Sequence, residues 1–382
     1  MRRNYGARAP ATPTADNDWE ASVHKIVTAS DQQQSIFMQQ KIKSAGFEEK
    51  YRMCEAIVGQ CLALASNRFG NFLVQRCLEH GTPEQIVAVA KALCTHIVQL
   101  SKDSFGCHVI QKAFDIVPEQ YKATFVNEML TDIRQTVVHR YACHVWQKLF
   151  ELRWKFDPPQ IMITVNMELD GNWTDVAMGE TGSLVVQNIF ENCLDDDKRP
   201  CIEEVLQNID TISRGQFGNW CIQHICENGA DADRDRAIGH ILSHAADYST
   251  DQYASKVVEK CLKVGGSDFL EEYLNEVCEQ ATGRTRSALI DIASDQYGNY
   301  LIQWVISNSS PEHRDRVISQ IRKHMVSLRG SKYGSRVAML CTNPQSHTRP
   351  GPPAGLPAAT RYNNGGNYNS TRGGGSNNGY RN

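Results

Sequence analysis

The sequence predicts an all-α solenoid, a stack of short helical units sharing one core. Three observations carry this. A recognisable segment recurs at intervals of 36 residues or slightly more. Fixed apolar columns surround it in nearly every copy. The stretches between copies place apolar residues at helical intervals, and few alternate with period two.

The recurrence is plainest in CHVIQK (Cys107–Lys112) and CHVWQK (Cys143–Lys148). Anchored on the residue equivalent to Cys107, the units fall at Ser35, Asn71, Cys107, Cys143, Ser183, Asn219, Ser255, Asn299 and Ser335. Successive gaps are 36, 36, 36, 40, 36, 36, 44 and 36 residues. Two before the anchor stands an aromatic (Phe69, Phe105, Tyr141, Phe217, Tyr253, Tyr297, Tyr333), with Gln33 and Thr181 as departures. One before it stands Gly or Ala in eight copies. Two and three after it are mostly aliphatic, and six after it is small or apolar, from Cys77 to Cys341. These columns read as core.

The linking segments read as helix. Glu84–Val98 is expected to form one, begun by the Thr-Pro pair before it. The gap of 40 holds Asp157-Pro158-Pro159, a loop signal. The gap of 44 reads as an insertion near Gly265–Arg286, a candidate partner-contact loop or a mere connector. Residues 1–18 and 343–382 are rich in small and polar residues, read as disordered tails flanking a folded domain over 19–342.

Composition narrows the function. The 382 residues carry a formal charge of −3, so bulk charge alone does not suit a grip on nucleic acid. No apolar run reaches membrane-spanning length, and the N-terminus lacks an apolar signal core. The 13 Cys form no CxxC pair and fit no zinc spacing, which suggests buried thiols in a reducing compartment. A Cys-His nucleophile pair would be singular, whereas this one recurs in repeat slots. No metal, cofactor or enzymatic constellation stands out.

Core does not explain positions 1, 2 and 5 counted from each anchor, which share one arc of a helix. They read Ser35/Ile36/Gln39, Asn71/Phe72/Gln75, Cys107/His108/Gln111, Cys143/His144/Gln147, Ser183/Leu184/Gln187, Asn219/Trp220/Gln223, Ser255/Lys256/Glu259, Asn299/Tyr300/Gln303 and Ser335/Arg336/Met339. In the first eight copies position 5 is Gln seven times and Glu once, and position 1 is only Asn, Cys or Ser. A merely solvated face would vary more. The pattern offers hydrogen-bonding groups at positions 1 and 5 beside a stacking group at position 2. That suits a row of splayed bases. Arg76, Lys112, Lys148 and Lys260, next to position 5, could reach phosphates or could be ordinary solvated cations.

The 36-residue period and the [FY]-[GA]-[NCS]-x-x-x-[QE] core resemble the Pumilio (PUF) family of single-stranded-RNA-binding proteins over about residues 22–342. The resemblance implies a right-handed α-solenoid of about eight three-helix repeats with a C-terminal capping repeat at Ser335. It implies base-edge contacts from positions 1 and 5, and base stacking from Phe72, His108, His144, Leu184, Trp220, Lys256, Tyr300 and Arg336. Glu259 only accepts, which suits guanine's two adjacent donors. By the family pattern Asn/Gln takes U, and Cys/Gln or Ser/Gln takes A. With RNA antiparallel, the chain reads 5′-UGUAAAUA. Repeats one and five depart from the pattern at Ile36, Leu184 and Thr181 and are expected to bind weakly. If the UGU half contributes less, an A-A-U core read by Cys143, Cys107 and Asn71 would dominate. The resemblance further implies a cytoplasmic monomer that binds messenger RNA 3′ untranslated regions without a cofactor and recruits deadenylase or repression complexes. The competing readings are a protein-binding solenoid of the HEAT or armadillo kind and a ribosome-biogenesis relative of the same fold.

Overall fold

The computed structural model describes residues 18–155, 159–279 and 286–342, and these residues form helices and their connections with no strand. Both expected tails, but for Asp18, and the Asp157-Pro158 signal fall outside them.

From the second unit on, each repeat is a long helix, a short helix and then the helix bearing the triplet. In repeat two these are Phe47–Gly59, Cys61–Ala65 and Asn71–His80. The first unit has two helices, Trp19–Ala29 and Gln32–Ser44. The ninth is complete, with Pro311–Arg322, Met325–Arg329 and Gly334–Thr342, so the expected cap carries all three helices of a repeat.

The triplet helices pack one on the next along the whole chain and form a continuous layer. The long helices form a second layer, for example Asp195–Gln207 against Asp231–Ser243 and that helix against Gly266–Cys278. The core lies between. Leu73, Val74 and Cys77 of repeat two are fully buried, as are Val257, Val258 and Cys261 of repeat seven. Burial of apolar area in each slot is what makes the columns recur. Trp146, which adds bulk in repeat four, fills such a slot; its indole N–H donates to Thr136 Oγ1 at 3.0 Å.

The small residue before each anchor has a steric cause. A Cβ on Gly106 would lie 2.7 Å from the carbonyl oxygen of Leu100, and one on Gly298 2.7 Å from that of Ile292. The triplet helix begins where its backbone presses on the short helix before it.

Two expectations need correction. Glu84–Val98 is two helices, Pro83–Leu93 and Ile97–Lys102. The start is as expected, with a Thr82/Gln85 capping box and Pro83 in the first turn. The break comes at Thr95, whose φ is 67°. There the Glu128 carboxylate, from the next repeat, accepts the N–H groups of Thr95 at 2.8 Å and Ile97 at 2.6 Å. The stretch Gly265–Arg286 is mostly the ordinary long helix Gly266–Cys278, with Phe269, Tyr273 and Val277 in the core. The extra residues lie between that helix and Ala288–Ser294, and 280–285 fall outside the described residues.

Candidate nucleic-acid interface

The triplets step outward from the core. Position 1 is buried in the first eight copies: Ser35, Asn71, Cys107, Cys143, Ser183, Asn219, Ser255 and Asn299 are 0–3% exposed. Position 5 is half-buried at Gln39, Gln75, Gln111, Gln147, Gln187, Gln223 and Glu259, and buried at Gln303. Position 2 reaches furthest at Ile36 and Phe72, and is partly exposed at His108, His144, Leu184, Trp220, Lys256 and Tyr300. In the ninth unit Ser335 is half-buried, and Arg336 and Met339 are exposed.

Where position 1 is Asn, it is a fixed polar post. Asn219 Nδ2 donates to the carbonyls of Gly215 (2.8 Å) and Gln216 (2.9 Å), and Asn219 Oδ1 accepts from Gln223 Nε2 at 2.7 Å. Asn71 and Asn299 repeat this, holding Gln75 Nε2 at 3.0 Å and Gln303 Nε2 at 2.7 Å. Only an amide nitrogen can donate to two carbonyls, so the Asn orientation is settled, and with it the Gln orientation.

Where position 1 is Cys or Ser, the shorter side chain in repeats three, four, five and seven holds no Gln in this way. The Ser183 hydroxyl donates to the Glu180 carbonyl at 3.1 Å. Gln111 and Gln187 turn their Nε2 to the helix carbonyls of Cys107 (3.1 Å) and Ser183 (3.0 Å). In repeat four His144 Nδ1 lies 3.1 Å from Gln147 Oε1, so the ring N–H donates to it. Repeat one differs: Ser35 donates across to the Phe69 carbonyl at 2.8 Å and accepts from Gln39 at 3.0 Å.

Repeat seven is charged. Lys263 Nζ donates to Glu259 Oε1 at 2.7 Å, and Lys256 Nζ to Oε2 at 3.4 Å. Burial opposes ionisation of Glu259, but the Lys263 hydrogen bond and the charges of both lysines outweigh it. They hold the carboxyl below its ordinary value. Glu259 is therefore an acceptor only.

Burial disfavours the thiolate in both Cys-His pairs. Burial pushes the Cys107 thiol up to about 12 and the Cys143 thiol up to about 11. Both thiols are thereby held towards the protonated form, the opposite of what a thiolate nucleophile needs. Burial, followed by the charge of His144, holds His108 below the usual imidazole range.

The cations next to position 5 are engaged between repeats. Lys112 pairs with Glu79 (2.9 Å), Lys148 with Asp115 (2.6 Å) and Lys260 with Glu227 (2.8 Å); Arg76 also pairs with Glu79. In each inter-repeat pair the acid stands eight residues after the preceding anchor. His224 and Glu191 make the same link at 3.3 Å. This ladder joins repeats two to four and five to seven. It lapses where Glu151 faces Asn188 and where Lys263 faces Trp304 in the same slots, at the two long gaps.

Sequence reasoning missed a second column, four residues before each anchor. Asn67, Asp103, Asp251 and Asp295 each accept two N–H groups at the turn entering the triplet helix, such as Phe105 (2.9 Å) and Gly106 (2.7 Å) on Asp103. His139 takes the same place, and Asp31 and Ser331 accept one each. Repeats five and six have Gly179 and Gly215 there and lack the cap. An Asx residue at fixed offset before [FY]-[GA] was the available signal.

Comparison with known proteins agrees with this architecture. The profile described as "Pumilio-family RNA binding repeat" matches seven segments: 60–94, 96–130, 137–152, 172–206, 208–242, 244–278 and 289–322. These hold the anchors from Asn71 to Asn299. Meiotic coiled-coil protein 2 of Schizosaccharomyces pombe is 51% identical over 323 residues, 85% of this chain and 46% of that protein. Meiotic PUF family protein 1 of the same yeast is 40% identical over 328 residues, 86% of this chain and 56% of its own. The chain thus spans about half the length of these curated relatives. Among solved structures, PUF-8 in complex with PBE-RNA superposes with a TM-score of 0.76 at 24% identity, covering 85% of this chain and 94% of that one. The Puf4 RNA-binding domain, bound to an RNA 3′ UTR recognition sequence, gives 0.72 at 22% identity, covering 84% and 98%. These likenesses establish the fold, and the repeat profile establishes the lineage: the chain belongs to the Pumilio family of RNA-binding repeat proteins.

Proposed function

We propose that this chain binds single-stranded RNA in a sequence-specific way, one base per repeat, with 5′-UGUAAAUA as its preferred site. The observation that carries the reading is the recurring Gln or Glu at position 5, set on one layer of helices, whose partner changes with position 1.

The chemistry follows from those partners. In repeats two, six and eight Asn draws the Gln amide nitrogen inward and turns its carbonyl end away. That carbonyl suits the central N3–H donor of uracil, and the longer Asn narrows the slot to a pyrimidine. Cys or Ser, repeat one apart, withdraws and leaves room for a purine; with Gln beside it the base is adenine. Glu259, ionised, takes the N1–H and N2–H pair of guanine. Position 2 side chains cover the base faces, by aromatic stacking at Phe72, Trp220 and Tyr300 and by a cation at Lys256 and Arg336. Repeat five, with Leu184 and no cap at Gly179, reads weakly. So does repeat one, with Ile36. We assign Arg76, Lys112, Lys148 and Lys260 first to the ladder between repeats, and only secondarily to phosphate.

Beyond binding, we propose that the targets are messenger RNA 3′ untranslated regions in the cytoplasm and that a monomer acts through deadenylase or repression complexes. The 3′ UTR sequence bound to the Puf4 domain supports the first part. A base-by-base substitution series across UGUAAAUA tests the reading. Loss concentrated at UGU supports the proposed register. Loss concentrated at the AAU read by Cys143, Cys107 and Asn71 moves the specificity to the N-terminal half. Uniform tolerance removes the code.

A further inference from the structure

Repeat seven departs from the ladder in a way that bears on its own base. Eight residues after the anchor, the ladder repeats have Glu79, Asp115, Glu191 and Glu227; repeat seven has Lys263. The next repeat offers Trp304 where the rungs of the ladder offer Lys112, Lys148, His224 or Lys260. Lys263 thus cannot serve as the acid of an inter-repeat rung. Its ammonium lies instead 2.7 Å from Glu259 Oε1, one turn back on its own helix. Lys256 takes the other oxygen, at 3.4 Å.

Base binding changes this arrangement. Lys256 is the stacking residue of repeat seven, and an ammonium over the face of a base leaves Oε2. Lys263 then remains as the counter-charge on a carboxylate that the base is stripping of water. Without a counter-charge, desolvation favours the protonated acid. A protonated acid donates, which suits the N1 acceptor of adenine and not the donors of guanine. Each ionised oxygen has two lone pairs, so Lys263 can keep one on Oε1 and leave the rest for N1–H and N2–H.

We propose that Lys263 is a positioning residue for guanine: it holds the Glu259 carboxylate ionised and fixed while the base covers it. This rests on the reading of repeat seven as the guanine reader. The Glu-to-Lys spacing of four along the helix is the favourable order for such a pair.

The test is fluorescence polarisation of the full chain, as wild type, Lys263→Met and Lys263→Arg. The RNAs are 5′-UGUAAAUA, 5′-UAUAAAUA and 5′-UGCAAAUA. We expect Lys263→Met to lower the G-over-A ratio at the second base by up to about five-fold, the upper range for a partly exposed ion pair. The U-over-C ratio at the third base stays unchanged, and Lys263→Arg restores the first ratio. Lys263 is half exposed, so loss of its ion pair should lower the melting temperature of Lys263→Met only slightly, and all three proteins should be fully folded at the assay temperature. A G-over-A ratio unchanged in Lys263→Met overturns the inference alone. So does failure of Lys263→Arg to restore it, since the stem and not the charge would then matter. A wild-type ratio near one overturns the repeat-seven reading itself, and the inference with it.

Discussion

Asn219→Ser separates the two roles proposed for position 1, stability and base choice, in a single central repeat. Asn219 is 3% exposed and makes three side-chain hydrogen bonds: to Gly215 O at 2.8 Å, to Gln216 O at 2.9 Å and from Gln223 Nε2 at 2.7 Å. A Ser there keeps one of them, because Ser183 and Ser255 donate to the carbonyl three residues back. Two are lost. Gly215 O still accepts the backbone N–H of residue 219 at 3.2 Å, so no carbonyl is stripped and the full desolvation penalty does not apply. Gln223 Nε2 regains a partner in the carbonyl of residue 219, as Gln187 does, so one bond is lost on balance and the variant should lose about 1 kcal/mol. Denaturant unfolding followed by circular dichroism measures this as a lower midpoint. Released from Asn219, Gln223 should turn its amide to the helix carbonyl of residue 219, as Gln187 does, and the third base should shift from U towards A. Polarisation with UGUAAAUA against UGAAAAUA reads that shift. Unchanged stability would refute the hydrogen-bond accounting. An unchanged preference for U would refute the claim that position 1 chooses the base by orienting position 5.

Four further outcomes follow from the same geometry. Glu259→Gln makes repeat seven a Ser/Gln repeat, so its preference should pass from G to A in the same binding assay, with loss of one to two orders of magnitude for UGU, about the value of hydrogen bonds to a charged group. The lowered pKa of Glu259 sets a pH window: its ionised form is favoured by folding, so its contribution is present above the unfolded value of about 4.3 and fades as pH falls through the lower folded value. G-over-A selectivity should therefore persist at pH 5 and weaken only below the ordinary glutamate range, with circular dichroism checking that the fold persists. Gly179→Asp should supply the cap that repeat five lacks: Gly179 has extended backbone, φ −80°, and a Cβ there meets nothing nearer than 3.5 Å. The gain should be a few tenths of a kcal/mol, since Gly is itself a tolerated cap, seen as a slightly higher unfolding midpoint. Lys112→Met should cost up to about 1 kcal/mol through loss of the Glu79 pair, and should leave the salt dependence of RNA binding unchanged; a slope shallower by about one would return Lys112 to the phosphates.

Much of the fold is legible in the sequence because each repeat must bury the same slots against its neighbours. Val109, Ile110 and Ala113 recur as Val257, Val258 and Cys261 since the helix before and the helix after impose the same shape. What depends on a single distant residue is hidden. The break at Thr95 is stabilised by Glu128, 33 positions away, and nothing local in VAKALCTHIVQ announces it. The gap before Asn299 marks extra residues somewhere in Gly265–Arg286, but not that Gly266–Cys278 is the repeat's ordinary long helix and that the extra residues follow it. The same limit governs the site. Residue types at positions 1, 2 and 5 can be read from the sequence. That Asn219 is buried and acts on Gln223, and that Lys112 is drawn to Glu79, required the neighbouring repeat and the backbone in place. The caps at Asp103, Asp251 and Asp295 are visible as a column four residues before the anchor, but residue type alone does not show that each carboxylate accepts the N–H groups of the turn.

The central claim is that the aligned triplets read RNA in the register UGUAAAUA. The direct test is fluorescence polarisation of the whole chain with labelled 5′-UGUAAAUA and 5′-ACAAAAUA. Tight binding to the first and its loss on the second is the predicted result. Equal binding to both contradicts the register, and binding to neither contradicts RNA recognition by these helices.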